Sequence, residues 1–349
     1  MEEFLEHFIN GLPWDSMTYV AWFALFGLIV TSLAVLGKGA DWLVKEAVVL
    51  SELSGLSKVV IGATIVSLGT TTPEAVVSVL AALRGSSDLA LGNAVGSIIC
   101  DTGLVLGIAC LIAPLPLHRK TVNRHGWVQL AAGFLLVIAS CPIASPGTVF
   151  LNGGRLTQTT GIAMLFLLVW YICQAICWAR MEHDGTNLKD RKLDTARSLP
   201  VILGKLVLAI ILVVGASETL IPCVREASER LNVAEGIFAA TIVAFGTSLP
   251  ELVTAVTAAR HGHGDLAVGN VLGADILNVL FVAGAAAAVT PQGLEALPHF
   301  FRVLFPGMLF VLVVFRIGIF VSGSHLKRGF GVVLLSAYVV VTVISYLTN

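Results

Sequence analysis

Charge is scarce in this 349-residue chain, where only 12% of residues are Asp, Glu, Lys or Arg and 56% are hydrophobic. A soluble domain carries roughly a quarter charged residues. So little charge cannot wet the surface of a soluble fold this long. A soluble enzyme, a disordered chain and a nucleic-acid-binding protein are therefore excluded. Cysteine is thin as well, with six residues at 100, 110, 141, 173, 177 and 223 and no CxxC pair. Most sit in apolar runs and read as buried free thiols. There is no His-Glu-x-x-His motif and no nucleophile–histidine pair, so no enzyme class is indicated and no cofactor is implied. The opening MEEFLEHFINGLPWDS lacks the basic start of a signal peptide and reads as a short acidic amphipathic segment. The ten-residue alternation of a membrane β-barrel is missing too. The net charge of −1 says nothing about partners. What is present is long apolar runs, 34 glycines and a mean hydropathy of +0.91. The chain reads as an all-α polytopic membrane protein.

A helix needs about 20 apolar residues to cross a bilayer. Ten runs qualify, over 17–48, 57–84, 88–113, 126–144, 158–180, 199–225, 234–260, 265–289, 299–321 and 328–347. With the acidic N-terminus outside, the inside loops hold thirteen Lys and Arg residues and the outside loops five. The positive-inside rule thus predicts ten spans with both termini outside. The longest polar loop lies inside at the midpoint. It divides a first five-helix unit (1–180, with an N-terminal extension) from a second (199–349) across a cytoplasmic linker (181–198).

The two units repeat each other. Residues 62–101 align without gaps on 239–278, an offset of 177, and half of the aligned positions are identical, Pro, Glu, Asp and Asn among them. Five spans per unit, an odd number, turn the second copy upside down. An inverted repeat is the architecture of secondary transporters, with a substrate site at mid-membrane between broken helices.

Each repeat carries Gly-Thr-Thr/Ser-x-Pro-Glu in mid-span: Gly69, Thr70, Thr71, Pro73 and Glu74, then Gly246, Thr247, Ser248, Pro250 and Glu251. Proline removes an N–H and displaces the carbonyl four residues back, here Gly69 and Gly246. Each motif offers backbone oxygens, hydroxyls and a carboxylate at one bend. A mid-bilayer charge costs about 2.5–3.5 kcal/mol or more. Two such glutamates at symmetric positions, without a nearby Lys or Arg, point to function rather than to a simple kink. Twenty-seven residues after each glutamate stands another polar group, Asp101 and Asn278, with Ser97 one turn before Asp101. Asn93 and Asn270 read either as helix-to-helix hydrogen bonders or as ligands. His261 and His263 fall in a loop and are expected to be solvated. All candidate ligands are oxygens, which selects a hard cation. Calcium accepts loose oxygen cages, whereas magnesium demands a strict octahedron, and sodium shares the same preference for oxygen. Asp41 and Glu218 occupy matching positions in spans one and six, as gate-end residues or ordinary interfacial acids.

GTTTPE (69–74) and GTSLPE (246–251), each followed by a Gly-Asn-x-x-Gly helix, resemble the two alpha-repeats of the sodium/calcium exchanger branch of the calcium/cation antiporter superfamily. The compact form resembles its prokaryotic members. The resemblance implies a ten-helix fold in which spans two, three, seven and eight form a core and spans one and six slide as a gate. It implies calcium extrusion driven by sodium entry. It makes Glu74 and Glu251 the calcium-ligating glutamates, and Thr70 and Thr247 donors of backbone carbonyls to calcium. It assigns Thr71, Ser248 and Ser97 to sodium positions, and Asp101 with Asn278 to the central water or ion site.

Three features depart from the family pattern. Typical members have Gly-Ser-Asn in both third-helix motifs, whereas this chain has Gly96-Ser97-Ile98 and Gly273-Ala274-Asp275. The aspartate and asparagine at 101 and 278 are exchanged between halves relative to several members. Asp275 is an additional acid. The expected activity is exchange of calcium for sodium by alternating access. Calcium/proton exchange on the same fold is the alternative: the hydroxyl missing at Ala274 favours protons, and the GTSLPE motif favours sodium. A passive channel leaves the inverted repeat unexplained. The expected partners are calcium, sodium or a proton, and membrane lipid, with no nucleic acid. The expected setting is a prokaryotic plasma membrane.

Overall fold

The computed structural model describes residues 19–142, 148–183, 198–230 and 247–348. Gly246 with the first half of the predicted seventh span (234–246), the opening segment through residue 18, and most of the 181–198 linker lie outside the described residues. Within them, helix occupies each of the ten predicted segments. The helices are α1 (Tyr19–Ser54), α2 (Lys58–Thr70), α3 (Thr72–Leu83), α4 (Ser87–Ile112), α5 (Arg119–Ser140) and α6 (Gln158–His183). The second half contributes α7 (Leu199–Arg230), α8 (Leu249–Arg260), α9 (Gly264–Ala288), α10 (Phe300–Val321) and α11 (Arg328–Leu347). Among the described residues seven helices are long and apolar enough to cross a membrane, or eight with the bent pair α2–α3 taken as one span. Helix α5 is not among them. Its first turns carry Arg119, Lys120 and Arg124, and they start the helix well before the predicted residue 126.

Two short ribbons fix the directions of the helices. Strand β1 (Leu115–Pro116) pairs antiparallel with β4 (His325–Leu326), and β2 (Gly154–Leu156) with β3 (Leu294–Ala296). Helix α5 runs from the β1–β4 ribbon to the β2–β3 ribbon, and α10 runs back. These two helices are counterparts in the repeats and point in opposite directions, so the repeat is inverted. At the β1–β4 end, Lys58 Nζ lies 3.0 Å from His263 Nδ1, and Arg119 donates to the carbonyls of Ser322 and Gly323. The loops that the charge bias assigned to one side thus converge at one end.

The two repeats stop their helices alike. Gly85 and Gly262, 177 residues apart, have φ of 83° and 75°. Behind each, Ser86 N binds Ala81 O and His263 N binds Ala258 O, closing helices α3 and α8 with the same left-handed cap. Helices α2 and α9 approach backbone to backbone: a Cβ on Gly62 would meet the Leu266 carbonyl at 2.6 Å, and one on Gly269 would overlap Val59. Helices α1 and α7 lie side by side, as expected for spans one and six.

Apolar packing forms two main cores. One takes α2 residues up to Val66, α4 from Cys100 onward and α9 through Leu272. The other takes α3 from Ala75, α4 through Ile99 and α9 from Ile276. The polar motif residues fall at the seam between them. Outside, Phe23, Phe26, Phe166, Trp170 and Phe310 are exposed. A soluble protein would hide such a band, whereas a bilayer solvates it.

Candidate cation-binding site

At the seam the second span breaks. Thr71, with φ −84° and ψ −1°, separates α2 from α3, and the two meet at 44°. The Thr71 N–H reaches Ser67 O at 2.8 Å, and the ladder resumes with Ala75 N on Thr71 O at 3.2 Å. Pro73 has no N–H to offer Gly69, so the carbonyls of Gly69 and Thr70 fall in the gap. Proline sits in the first turn of α3, where its missing donor costs nothing. The second repeat matches: Ser248 precedes α8, Pro250 lies in its first turn, and Leu252 N binds Ser248 O at 3.0 Å. Thr70 ends α2 and Glu74 stands in the first turn of α3, so the two do not share one helix face. They flank a bend instead.

Most of the expected site residues are brought together and buried. Glu74, Thr70, Thr71, Ser97, Asp101, Ser248, Glu251 and Asn278 are each at most 2% exposed, while Thr247 is half-buried. Thr71 Oγ1 donates to Glu251 Oε1 at 3.1 Å, joining the repeats. Asn278 Nδ2 donates to Asp101 Oδ2 at 3.4 Å. Thr70 Oγ1 turns back to Val66 O at 3.2 Å. Asn93 donates to the Glu74 carbonyl at 3.2 Å and to Ser78 Oγ at 2.9 Å, and accepts from Thr247 Oγ1 at 3.3 Å. Asn93 is therefore a helix-to-helix hydrogen bonder. His261 and His263 are not simply solvated: His261 lies 3.5 Å from Asp41, and His263 contacts Lys58.

Many buried oxygens here have no hydrogen-bond partner. They are both carboxylate oxygens of Glu74, one each of Glu251, Asp101 and Asp275, the hydroxyls of Ser97 and Ser248, and Asn278 Oδ1. Buried polar groups are normally satisfied, so this convergence of lone pairs calls for positive charge. Among the described residues no ion pair joins Glu74, Asp101, Glu251 or Asp275 to a basic side chain. Nor do three His, Cys, Asp or Glu side chains there form a ready metal cluster. A cation at this seam would draw on hydroxyl, amide and backbone oxygens as well as carboxylates, the mixed shell that calcium tolerates.

Three features escaped the sequence reading. Asp101 and Asn278 sit in π-helical turns, Cys100–Val105 and Asn278–Ala283, which leave no periodic trace in sequence yet recur at functional sites. Gln129 and Thr102 both donate to Asp275 Oδ2. Gln129 is the one amide in the apolar stretch 126–144 and could have been noticed on that ground. Thr254 adds a buried hydroxyl without a partner.

Comparison with known proteins agrees with this geometry. The model of the sodium/calcium exchanger protein family matches residues 24–177 and 201–347. The chain belongs to the sodium/calcium exchanger family. The two matched blocks bracket the midpoint loop. Among the curated relatives, the inner membrane protein YrbG of Escherichia coli is 33% identical over 90% of this chain and 94% of its own length. The sodium/calcium exchanger MaX1 of Methanosarcina acetivorans is 29% identical over 92% of this chain and 98% of its own. A solved structure of the sodium-calcium exchanger NCX_Mj superposes with a TM-score of 0.74 at 24% identity, covering 90% of this chain and 97% of that one. The exchanger fold is thereby shared.

Proposed function

We propose that this protein exchanges calcium for sodium across a membrane by alternating access, with calcium held between Glu74 and Glu251. One observation carries the reading. Two buried glutamates, one from each repeat, lie in the first turns of α3 and α8; Thr71, at the start of α3, donates to Glu251, and both glutamates keep carboxylate oxygens unpaired. Burying such charges without partners is costly, and a transported cation offsets that cost. Thr70 and Thr247 supply backbone carbonyls to calcium. Thr71, Ser248 and Ser97 line sodium positions, and Asp101 with Asn278 forms the central pair.

Charge accounting supports competition between two loads. Glu74, Glu251 and Asp101 carry −3 when ionised. Calcium leaves −1, which a proton on Asp101 balances, and three sodium ions balance the site without that proton. Three sodium ions and one calcium ion differ by one charge, so exchange in which the proton is not carried with calcium responds to voltage by about 2.3 kcal/mol per charge per 100 mV. Residues 1–180 and 199–349 act as the two inverted units about a cytoplasmic linker at 181–198. Both termini face outward from a prokaryotic plasma membrane. The curated relative MaX1 carries the exchanger name.

The test is uptake of radiolabelled calcium into vesicles holding the purified protein. An outward sodium gradient is compared with an outward proton gradient of equal size. Uptake driven by sodium is expected. Uptake driven by protons alone would overturn sodium coupling while keeping the calcium site.

A further inference from the structure

Asp275 takes no part in the exchange cycle above, yet it is buried at 2% exposure beside that site. Its counterpart in the first repeat is Ile98, so the acid belongs to one half only. Thr102 Oγ1 and Gln129 Nε2 both donate to Asp275 Oδ2, and Gln129 Nε2 also reaches Thr102 Oγ1 at 3.2 Å. The network draws on three helices: α4 through Thr102, α5 through Gln129 and α9 through Asp275. It is fully committed on one side, because both neighbours spend their hydrogens on Oδ2. Asp275 Oδ1 is shut off from solvent and has no partner.

Two further acceptors stand in the same condition. Asn278 follows Asp275 by three residues, on the same face of the helix, and its Oδ1 is unpartnered while its Nδ2 binds Asp101. Asp101 Oδ1 is likewise unpartnered, and Asp101 is tied to Asn278 through its other oxygen at 3.4 Å. Unpaired oxygens from a carboxylate, an amide and a second carboxylate form the lining of a hard-cation site. The unpartnered groups named here are all oxygens, the ligand type that hard cations prefer. Calcium between Glu74 and Glu251 leaves Asp275 with one unmatched negative charge in a dry interior. A single positive charge matches it.

We propose that Asp275, positioned by Thr102 and Gln129, adds a position for one monovalent metal cation beside the calcium site, sharing Asn278 and Asp101 of the central pair as its other oxygen ligands. The proposal rests on the exchange reading only for where calcium sits. The site needs no calcium in order to fill.

The experiment counts bound ions on the whole purified protein by equilibrium binding, with radiolabelled sodium and radiolabelled rubidium as probes and radiolabelled calcium as a control. Asp275→Asn preserves shape and the acceptor for Thr102 and Gln129. Asp275→Asn is expected to bind one fewer monovalent ion per chain than the wild type, seen with sodium, rubidium or both, and to bind calcium within about twofold of wild type. Asp275→Glu is expected to restore the count. An unchanged count with both probes would overturn the site, including the case in which Asp275 carries only a proton. Should Asp275→Asn lose calcium as well, the double variant Glu74→Gln, Glu251→Gln decides. One Asp275-dependent monovalent ion retained supports the site, and none overturns it. Absence of calcium binding in the wild type, with the Asp275-dependent ion present, would instead count against the exchange reading alone.

Discussion

The hydroxyl of Thr71 donates to Glu251 Oε1 across 3.1 Å, a bond between residues 180 positions apart in the chain. It spans the two repeats at the point where the second span breaks. The same residue supplies both the bend and the link, because Thr71 is the hinge between α2 and α3. The geometry of one glutamate therefore depends on the backbone of the opposite repeat.

Replacing that hydroxyl isolates its contribution. Hydrogen bonds to charged groups contribute about 1.5–3 kcal/mol. Thr71→Val keeps the branched shape and leaves Glu251 Oε1 without its donor. Cation affinity is expected to fall about tenfold or more, since a tenfold change corresponds to about 1.4 kcal/mol. Binding of radiolabelled calcium to purified protein measures this directly. An unchanged affinity would remove Thr71 from the site.

Glu74→Gln and Glu251→Gln are each expected to abolish calcium uptake. A ligand that binds only the folded state stabilises it by about 2.7 kcal/mol at a hundred times its Kd. Calcium should therefore raise the Tm of the wild type in detergent and leave that of either variant unmoved. Wild-type calcium flux in either variant would sink the assignment of this pair.

Much of this arrangement is legible in the sequence, for identifiable reasons. Long apolar runs announce spans, and a shift of 177 residues exposes the repeat. Proline with glycine marks the break at Thr71 and the helix start after Ser248. The π-helical turns at Asp101 and Asn278 are not legible, because one extra residue in a turn changes no composition. Nor is the Gln129–Asp275 contact, which joins helices 146 residues apart. The helix boundaries differ for a related reason. Helix α5 continues through its charged first turns because polar residues end the apolar run without ending the helix.

Asn93 holds three partners at once: the Glu74 carbonyl, Ser78 Oγ and Thr247 Oγ1. Asn93→Leu removes the partner of all three, of which Ser78 is fully buried and Thr247 half-buried. Each buried unsatisfied group costs about 1–3 kcal/mol, so a clear fall in Tm is expected together with reduced transport. Thermal unfolding in detergent gives the first and vesicle uptake the second. A variant with wild-type Tm would show that these groups find other partners.

Gly269 tests the close approach of α2 and α9. A Cβ there overlaps the Val59 backbone, which cannot swing aside as a flexible side chain can. Overpacking of this kind costs about 1–3 kcal/mol. Gly269→Ala is expected to lower Tm and folded yield, whereas Gly204→Ala, with nothing within 4 Å of the new methyl, should leave both unchanged. Equal Tm values for the two variants would contradict the packing described here.

The last prediction concerns pH at the β1–β4 end. His263, which leads into α9, contacts Lys58 Nζ through Nδ1 at 3.0 Å. Burial, and next the Lys58 charge, push its pKa below the ordinary 6.5; Asp265 and Glu52 pull the other way, and His261 adds to the lowering. The folded protein therefore holds His263 neutral, accepting from Lys58. The unfolded chain takes up a proton near pH 6.5, before the folded one does. By linkage, the stability this contact contributes is complete above the unfolded value and declines as pH falls below it. Between pH 8 and pH 5.5 the wild type is expected to lose more Tm than His263→Gln, which cannot take up that proton. Parallel declines in the two proteins would show that His263 does not carry the effect.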